Sequence, residues 1–310
     1  MISFTTYFDE NYLTKFKCLY DSLNKNCSDF HIYVVLLNDF EIIDQNLKSS
    51  SKITLINLNS IEFEYPELYL AKKNRKKIEY YFSLTPFIIQ YVLNKFNLNE
   101  LTYIDSDLYF FRNPNIVYDT YRKRNFNILL TSHGNSNVQK KYGKFNVGWI
   151  VFKNTDEVKK CLKEWSMDCI FWCFDIPYKD KFADQKYLDS WEKNYSKVIV
   201  VNDFLVNIGP WNFYRLKKEN IDKLICFHFH NLNTFKKFFI SNISNFMQLD
   251  KNKRKLIKLI YKPYIYKSNE IKSLNNNFKG EKIRPTSIFS KILKLLKIFI
   301  IIKNIDIYRI

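Results

Sequence analysis

Short apolar runs alternate with segments of helical periodicity along the first 250 of the 310 residues. The apolar runs predict strands at residues 2–7, 31–37, 53–58, 101–104, 127–131, 149–152 and 198–201. Between several of them, apolar positions recur three and four residues apart. This spacing predicts helices at residues 11–23, 80–96 and 158–174, with Pro86 near the start of the second. The alternation predicts an α/β fold whose mostly parallel sheet has helices on both faces.

Two carboxylates follow the strand predicted at residues 101–104, and ligands of such sheets bind beyond the carboxyl ends of strands. Asp105 and Asp107 stand there between apolar neighbours. A divalent cation would remove the cost of burying them, because hard cations take carboxylate oxygens together with substrate phosphates. A solvated turn is the alternative. A phosphohydrolase with an aspartyl nucleophile is another, but it predicts Thr or Val soon after the second Asp, where Leu108 and Tyr109 stand.

Glycine and cysteine usage excludes several kinds of site. The chain has only 5 glycines and no cluster of the dinucleotide-binding type. Gly143 and Gly148 have the spacing of a phosphate loop, but Trp149 follows where the loop requires Lys. None of the 6 cysteines forms a CxxC pair, which argues against a zinc knuckle. A nucleotide would therefore need another group, such as a metal ion, to hold its phosphates.

The segment at residues 102–110, TYIDSDLYF, resembles the YxDxD element of glycosyltransferases with the GT-A fold. The likeness is greatest to the family 8-like group of nucleotide-diphospho-sugar transferases. Further elements of that group follow the same order over about residues 1–240: TTY at 5–7, YFSLTP at 81–86, FNVGW at 145–149, FADQ at 182–185, NIGPWN at 207–212 and FHFH at 227–230. Each motif is short, and the complete ordered set is more specific than any one of them.

The resemblance implies a Rossmann-like GT-A domain at residues 1–245 and a role for each matching residue. Mn²⁺ or Mg²⁺ would be held by Asp105, Asp107 and His228. The nucleotide-sugar donor, with a UDP-sugar favoured, would meet Thr5, Thr6, Tyr7, Ser83, Asp105 and Lys236. Asp184, Gln185 and Asn146 would act at the transferred sugar, with Asn146 in a turn. The implied reaction retains the anomeric configuration.

Several of these assignments have alternatives. The family has Gly after its late histidine and then Lys-Pro-Trp, whereas this chain has Asn231 and lacks the Pro-Trp pair, so Lys236 or Lys237 would supply the charge for the diphosphate. His230 is the alternative metal ligand to His228, because residues two apart on a strand share a face. Asp184 and Gln185 could instead cap a helix. Trp211 is either a packing residue or a stacking platform.

The C-terminal part of the chain is strongly basic. Residues 251–310 contain 16 Lys and Arg against 3 Asp and Glu, and the net charge of the whole chain is +18. Residues 287–303 have lysines on one side of a helical wheel and an apolar run too short to cross a bilayer. This pattern predicts that residues 246–310 form a helical basic extension that lies on an anionic membrane surface. A helix packed on the catalytic domain is the alternative, and nucleic acid is not expected as a partner.

These patterns together predict a metal-dependent glycosyltransferase that uses a glycan or lipid-linked acceptor in surface polysaccharide or lipopolysaccharide synthesis. The opening residues read as a core strand, not as a secretion signal, so we expect a cytoplasmic protein on the inner face of the cell membrane. The competing hypothesis is a non-catalytic protein on a degenerate GT-A scaffold that binds membranes or nucleic acid.

Overall fold

A computed structural model describes residues 1–38, 45–235, 238–274 and 306–310. Its strands are β1 (Ile2–Phe8), β2 (Phe30–Leu36), β3 (Ile53–Asn57), β4 (Glu100–Ile104), β5 (Leu108–Phe110), β6 (Ile128–Ser132), β7 (Phe145–Lys153), β8 (Val198–Val200), β9 (Cys226–His228), β10 (Asn233–Phe235), β11 (Phe238–Ile240) and β12 (Ile307–Arg309). Its helices are α1 (Leu13–Asn26), α2 (Gln45–Lys48), α3 (Leu58–Glu64), α4 (Leu68–Asn74), α5 (Lys77–Lys95), α6 (Asn115–Arg122), α7 (Ser136–Tyr142), α8 (Asp156–Phe171), α9 (Trp191–Asn194) and α10 (Lys251–Leu274).

A seven-stranded sheet in the order β3-β2-β1-β4-β7-β6-β8 forms the centre of the molecule. β7 runs antiparallel to both of its neighbours, β4 and β6, and the other adjacent pairs are parallel. The predicted mostly parallel α/β sheet is therefore confirmed. All seven strands correspond to predicted apolar runs, because strands buried on both faces are nearly continuous in apolar residues.

Helices cover both faces of this sheet. One face packs against α5 and α8, where Leu84, Phe87 and Trp165 are buried. The other face packs against α1 and α6 through residues such as Phe16 and Tyr118. These two layers hold the carboxyl ends of β1 and β4 in fixed positions, and the candidate site lies there.

Helix α5 begins earlier than the sequence predicted. The Glu79 carboxylate accepts a hydrogen bond from the backbone N–H of Lys76 at 2.9 Å, and this contact fixes the start of the helix. Pro86 consequently lies in the middle of α5 and not near its start. The prediction was wrong because it followed the apolar periodicity, which begins one turn after the polar capping residues.

A two-stranded antiparallel ribbon extends from the end of β4. After the Asp105-Ser106-Asp107 turn, β5 pairs with β9 so that Leu108 lies opposite His228. The backbone N–H of Phe229 donates to the Asp107 carbonyl at 3.0 Å. This register brings a residue more than 100 positions away in the chain beside the two carboxylates.

The basic C-terminal part packs against the rest of the chain where it is described. Buried residues of α10, including Ile257, Tyr261 and Ile265, share one hydrophobic cluster with Phe227 and Phe229. The predicted boundary at residue 245 therefore falls within a shared cluster. Residues 287–303, the predicted interfacial helix, lie outside the described residues. No helix among the described residues is long and apolar enough to cross a membrane.

The end of the chain returns to the main body. β12 pairs antiparallel with β11, which pairs in turn with β10. Tyr308 is buried and its ring stacks on that of Phe239 at 5.0 Å. The buried Asp306 carboxylate accepts hydrogen bonds from the Ser241 hydroxyl and from the backbone N–H of Ser244. The last residues are thus the third strand of a small sheet.

Candidate active site

Asp105, Asp107 and His228 converge at the carboxyl end of β4. The His228 Nε2 atom lies 2.9 Å from an Asp107 oxygen and 3.6 Å from an Asp105 oxygen. The side chains of His228 and Asp107 are almost fully buried, whereas that of Asp105 is 33% exposed. The cluster therefore has one open side through which a ligand can approach.

A glycine makes this close packing possible. The backbone N–H of Asp105 donates to the Gly148 carbonyl at 3.1 Å, which ties the carboxylate turn to β7. A Cβ atom at Gly148 would lie 2.8 Å from the His228 ring and 2.7 Å from the Asn146 side-chain oxygen. Any larger residue would therefore push His228 away from the carboxylates.

The charges of the cluster compensate one another. Burial would raise the pKa of Asp107, but the charge of His228, its hydrogen bond and the charge of Lys15 outweigh burial and hold that pKa well below its ordinary value. Burial raises the pKa of Asp105 despite the opposing charge of His228. Burial would lower the pKa of His228, but Asp107 raises it overall. Lys15 on α1 lies 3.6 Å from Asp107, so this site contains a fixed cation that the sequence analysis did not single out.

The same three side chains fit a divalent cation. One ligand atom from each lies within 4.8 Å of the others, and two carboxylates with an imidazole are a donor set that Mn²⁺ accepts. The Nδ1 atom of His228 is 3.0 Å from the Asn207 side-chain oxygen, so Nε2 is the nitrogen that faces the carboxylates. His230 is exposed and its Nε2 atom contacts the Asn231 amide, so the structure brings His228, and not His230, to the cluster.

Asp184 is buried near this cluster. Burial raises the pKa of its carboxyl group to about 7, the charge of Asp105 adds to the effect, and a hydrogen bond from Thr85 opposes it. It follows Ala183, whose φ of 45° is left-handed. Gln185 stands at the cap position of a short 3₁₀ turn without a side-chain capping bond. The geometry therefore does not support the alternative in which Asp184 and Gln185 cap a helix.

Asn146 lies at the start of β7, and the predicted turn at residues 145–149 is a strand. The prediction was wrong because the pairing of β7 with β6 continues past an irregularity between Leu129 and Thr131. Asn146 Nδ2 contacts His133 Nε2 at 3.2 Å and donates to Gln185 Oε1 at 3.3 Å. Asn146 thus joins Gln185 to the interior of the sheet.

The predicted donor-binding residues lie in two environments. Tyr7, at the end of β1, is half-buried and its hydroxyl donates to the Tyr81 carbonyl at 2.9 Å. Thr5, Thr6 and Ser83 are fully buried. The Thr5 hydroxyl donates to the Tyr33 carbonyl, and the Ser83 hydroxyl accepts a hydrogen bond from Arg75. Lys236 and its alternative Lys237 lie outside the described residues. Nucleotide contact by these residues stays a prediction.

Three further side chains lie near the cluster. His133 and Asn207 had no assigned role in the sequence analysis, whereas Trp211 was predicted either to pack or to serve as a stacking platform. His133 and Asn207 are buried and belong to hydrogen-bond networks with Asn146. Trp211 is also buried, and its ring packs edge-on against His133 and His228 at 5.6 and 5.1 Å between centroids. The NIGPWN motif contains Asn207 and Trp211, but nothing in the motif indicates which atoms they contact.

Two curated proteins of Bacillus subtilis are similar in sequence to this chain. The uncharacterized protein YfnD is 30% identical over 282 residues, which cover 84% of this chain and 87% of YfnD. The uncharacterized protein YfnF is 29% identical over 230 residues, which cover 68% of this chain and 75% of YfnF. No family model matches the chain.

Solved structures of glycosyltransferases share the fold. The apo structure of the bifunctional glycosyltransferase WbbM matches with a TM-score of 0.51 at 14% identity, over 75% of this chain and 46% of WbbM. GlyE of Streptococcus pneumoniae matches with a TM-score of 0.51 at 13% identity, over 88% of this chain and 64% of GlyE. Mouse xyloside xylosyltransferase 1 matches with a TM-score of 0.50 at 11% identity, over 74% of this chain and 98% of that enzyme. The chain thus spans less than half of WbbM and less than two thirds of GlyE. These likenesses confirm the predicted GT-A fold.

Proposed function

We propose that this chain, which belongs to the same family as YfnD of Bacillus subtilis, is a metal-dependent glycosyltransferase that uses a nucleotide-diphosphate sugar. One observation carries the proposal: Asp105, Asp107 and His228 meet beyond the carboxyl end of a central strand in a GT-A sheet. A buried and a partly buried carboxylate beside a buried imidazole serve no packing purpose there, whereas they suit a cation that binds phosphates.

Each group of residues in the site would have a separate role in the reaction. Asp105, Asp107 and His228 would hold Mn²⁺ or Mg²⁺. Such an ion, when bound, supplies charge neutralisation for the departing nucleoside diphosphate. Lys15 adds a second positive charge beside Asp107 and remains partly exposed, at 26%, so its ammonium group is available to a phosphate. The pair Asp184 and Gln185 would meet the transferred sugar, with Asp184 able to exchange a proton near neutral pH.

A UDP-sugar is the favoured donor, with retention at the anomeric carbon, and both proposals rest on the resemblance to the family 8-like group. The half-buried Tyr7 and Tyr81, joined by a hydrogen bond between β1 and α5, border the carboxyl end of β1. Aromatic side chains in that position suit a planar base. The product's anomeric configuration, read by NMR at early times, would decide between retention and inversion.

The acceptor is proposed to be a glycan or lipid-linked sugar at an anionic membrane. The support comes from α10. Its inner face packs beside the end of β9, where the Tyr264 ring stacks at 4.0 Å on Phe229, the residue that follows the strand. Its outer face presents Lys255, Lys258 and Lys262 around a shallow surface depression that Leu259 and Tyr266 also line. A basic face with exposed apolar residues suits anionic lipid headgroups. Surface polysaccharide or lipopolysaccharide synthesis would supply such an acceptor.

The donor site can be tested by thermal shift with UDP, GDP, CDP and ADP, each with and without Mn²⁺. Ligands that bind the native state raise the melting temperature. We expect a metal-dependent rise with one nucleotide, UDP, that is lost in Asp107→Ala and kept in Asp222→Ala, a matched change at an exposed aspartate.

The same experiment separates the proposal from a non-catalytic membrane- or nucleic-acid-binding protein on a degenerate scaffold. A chain of that kind would show no metal-dependent rise with any nucleotide. It would also release no nucleotide from UDP-sugars over long incubations.

A further inference from the structure

Asn146 is the centre of a partly buried hydrogen-bond network that reaches both the cation cluster and Gln185. Its amide nitrogen contacts His133 Nε2 at 3.2 Å and Gln185 Oε1 at 3.3 Å. Its amide oxygen accepts from the Gly148 backbone N–H at 2.9 Å and from Asn207 Nδ2 at 2.8 Å. Both hydrogens and both lone pairs of this amide are thus engaged, so Asn146 is saturated before any sugar arrives.

Two backbone groups fix the direction of every hydrogen bond in this network. The Gly143 carbonyl can only accept, and it lies 2.7 Å from His133 Nδ1, so Nδ1 carries the ring hydrogen. His133 is buried, and burial lowers its pKa to about 4, so the ring is neutral at pH 7 and Nε2 is an acceptor. The Gly148 N–H can only donate. The Gly143 carbonyl, through His133, and the Gly148 N–H therefore require the same orientation of the Asn146 amide. Its nitrogen points towards His133 and its oxygen towards Gly148.

The fixed amide then orients Gln185. Because Asn146 Nδ2 donates towards it, the atom of Gln185 that faces Asn146 is the oxygen. The amide nitrogen of this half-buried side chain is left to bond an incoming group. Gln185 is therefore prepared as a hydrogen-bond donor.

A second arm of the network orients the cation ligand. Asn207 gives its amide hydrogens to Thr131 Oγ1 at 2.9 Å and to Asn146 Oδ1, so its oxygen must accept from His228 Nδ1. In the neutral ring, the lone pair that a cation needs is then on Nε2, which faces Asp105 and Asp107.

We infer that His133 is a positioning residue whose neutral Nδ1–H tautomer, acting through Asn146, sets Gln185 to donate a hydrogen bond to an oxygen of the transferred sugar. The inference rests on the proposed transferase function for the identity of that ligand. The Gln185 oxygen stays engaged with Asn146. The branch through Asn207 links this orientation to the His228 nitrogen that meets the cation.

The direction of these hydrogen bonds is tested directly by long-range ¹H–¹⁵N NMR on the full chain with ¹⁵N-labelled histidine. The chain has only 4 histidines, so the spectrum is simple to assign. We expect His133 to be protonated on Nδ1 alone at neutral pH. An Nε2–H tautomer or a doubly protonated ring would overturn the inference. The Asn146→Asp variant removes both donated hydrogens, so His133 should gain a proton on Nε2. The exposed Asn137→Asp on α7 should leave the His133 spectrum unchanged. An unprotonated Nε2 in Asn146→Asp would also overturn the inference.

The effect on turnover is tested with whichever nucleotide-diphosphate sugar the wild type consumes, a UDP-sugar being expected. His133→Phe keeps a ring against Trp211 but offers no acceptor, and we expect kcat to fall by about tenfold or more with KM little changed. His133→Gln, which restores an acceptor oxygen, should recover much of the loss. An equal fall in UDP–Mn²⁺ affinity would indicate a merely structural role and contradict the inference. If the wild type consumes no nucleotide-diphosphate sugar, the proposed function fails, and the NMR experiment alone decides the direction of the hydrogen bonds.

Discussion

Asp184 differs from the carboxylates of the cation cluster in having no cationic partner strong enough to offset its burial. Its folded-state pKa of about 7 lies above the value of an unfolded aspartate. The neutral carboxyl is therefore the form that folding favours. The charged carboxylate, which forms at higher pH, lowers the free energy of unfolding. Asp184 is the residue that we propose to contact the transferred sugar, so this site carries a stability cost.

The Asp184→Asn variant should reveal this cost through its pH dependence. The stability contribution of the neutral carboxyl is complete below about pH 4 and is lost as pH rises through about 7. In the metal-free protein, we expect the variant to gain melting temperature relative to wild type as pH rises from about 5 to about 8. Asp222→Asn, at an exposed position, should show no such trend. Parallel melting curves for wild type and Asp184→Asn would contradict the expectation.

The sequence allowed prediction of the residues whose chemistry is unusual for their setting. Asp105 and Asp107 stand out because two charges follow an apolar strand, and His228 stands out through an ordered motif. Lys15 and His133 could not be found in this way. A lysine on an amphipathic helix and a histidine before a glycine are ordinary in sequence, and their roles arise from contacts with distant residues.

At the scale of elements, the strands of the central sheet were predictable, including the three-residue β8, whereas the short strands outside that sheet were not. β5, β9, β10, β11 and β12 have three residues each, too few to show a periodicity. β12 is the extreme case because its partner, β11, lies far away in the sequence. Its pairing depends on the buried Asp306 and Tyr308, which look unremarkable in a basic tail.

Tyr308→Ala tests whether β12 contributes to stability. Tyr308 is 3% exposed and stacks on Phe239, so truncation should lower the free energy of unfolding by about 3 kcal/mol, as for other buried aromatic residues. Urea unfolding would measure the change. Arg309→Ala, at the exposed neighbouring position, should have little effect. Equal stability of the two variants would show that β12 is dispensable.

At the scale of the whole molecule, the positive charge is unevenly distributed. Residues 251–310 hold 16 of the 49 Lys and Arg residues but only 3 of the 31 Asp and Glu residues. Composition therefore predicts an anionic partner for this part of the chain, and that contact stays a prediction. Composition could not show that α10 packs on the main body of the chain, because the apolar face of a basic helix suits a lipid interface and a protein core equally well.

The proposed membrane contact can be tested by charge removal on α10. Changing Lys255, Lys258 and Lys262 together to Gln should weaken binding to phosphatidylglycerol vesicles by about tenfold or more, because each basic residue near such a surface contributes about 1 kcal/mol. Co-sedimentation at low and high salt would measure it. The same change at Lys159, Lys163 and Lys193, which are exposed elsewhere, alters net charge equally and should have a smaller effect. Equal losses in both variants would indicate a response to net charge alone.

The return of the chain to β11 changes what a protease could release from this molecule. Residues 275–305 are joined to α10 at one end and to β12 at the other, and both flanks are packed on the same body. A single cut between them would leave two fragments that co-purify under native conditions, since Tyr308 and Asp306 anchor the smaller one. Denaturation would be needed to separate them, so an apparently intact protein on a sizing column can already be nicked.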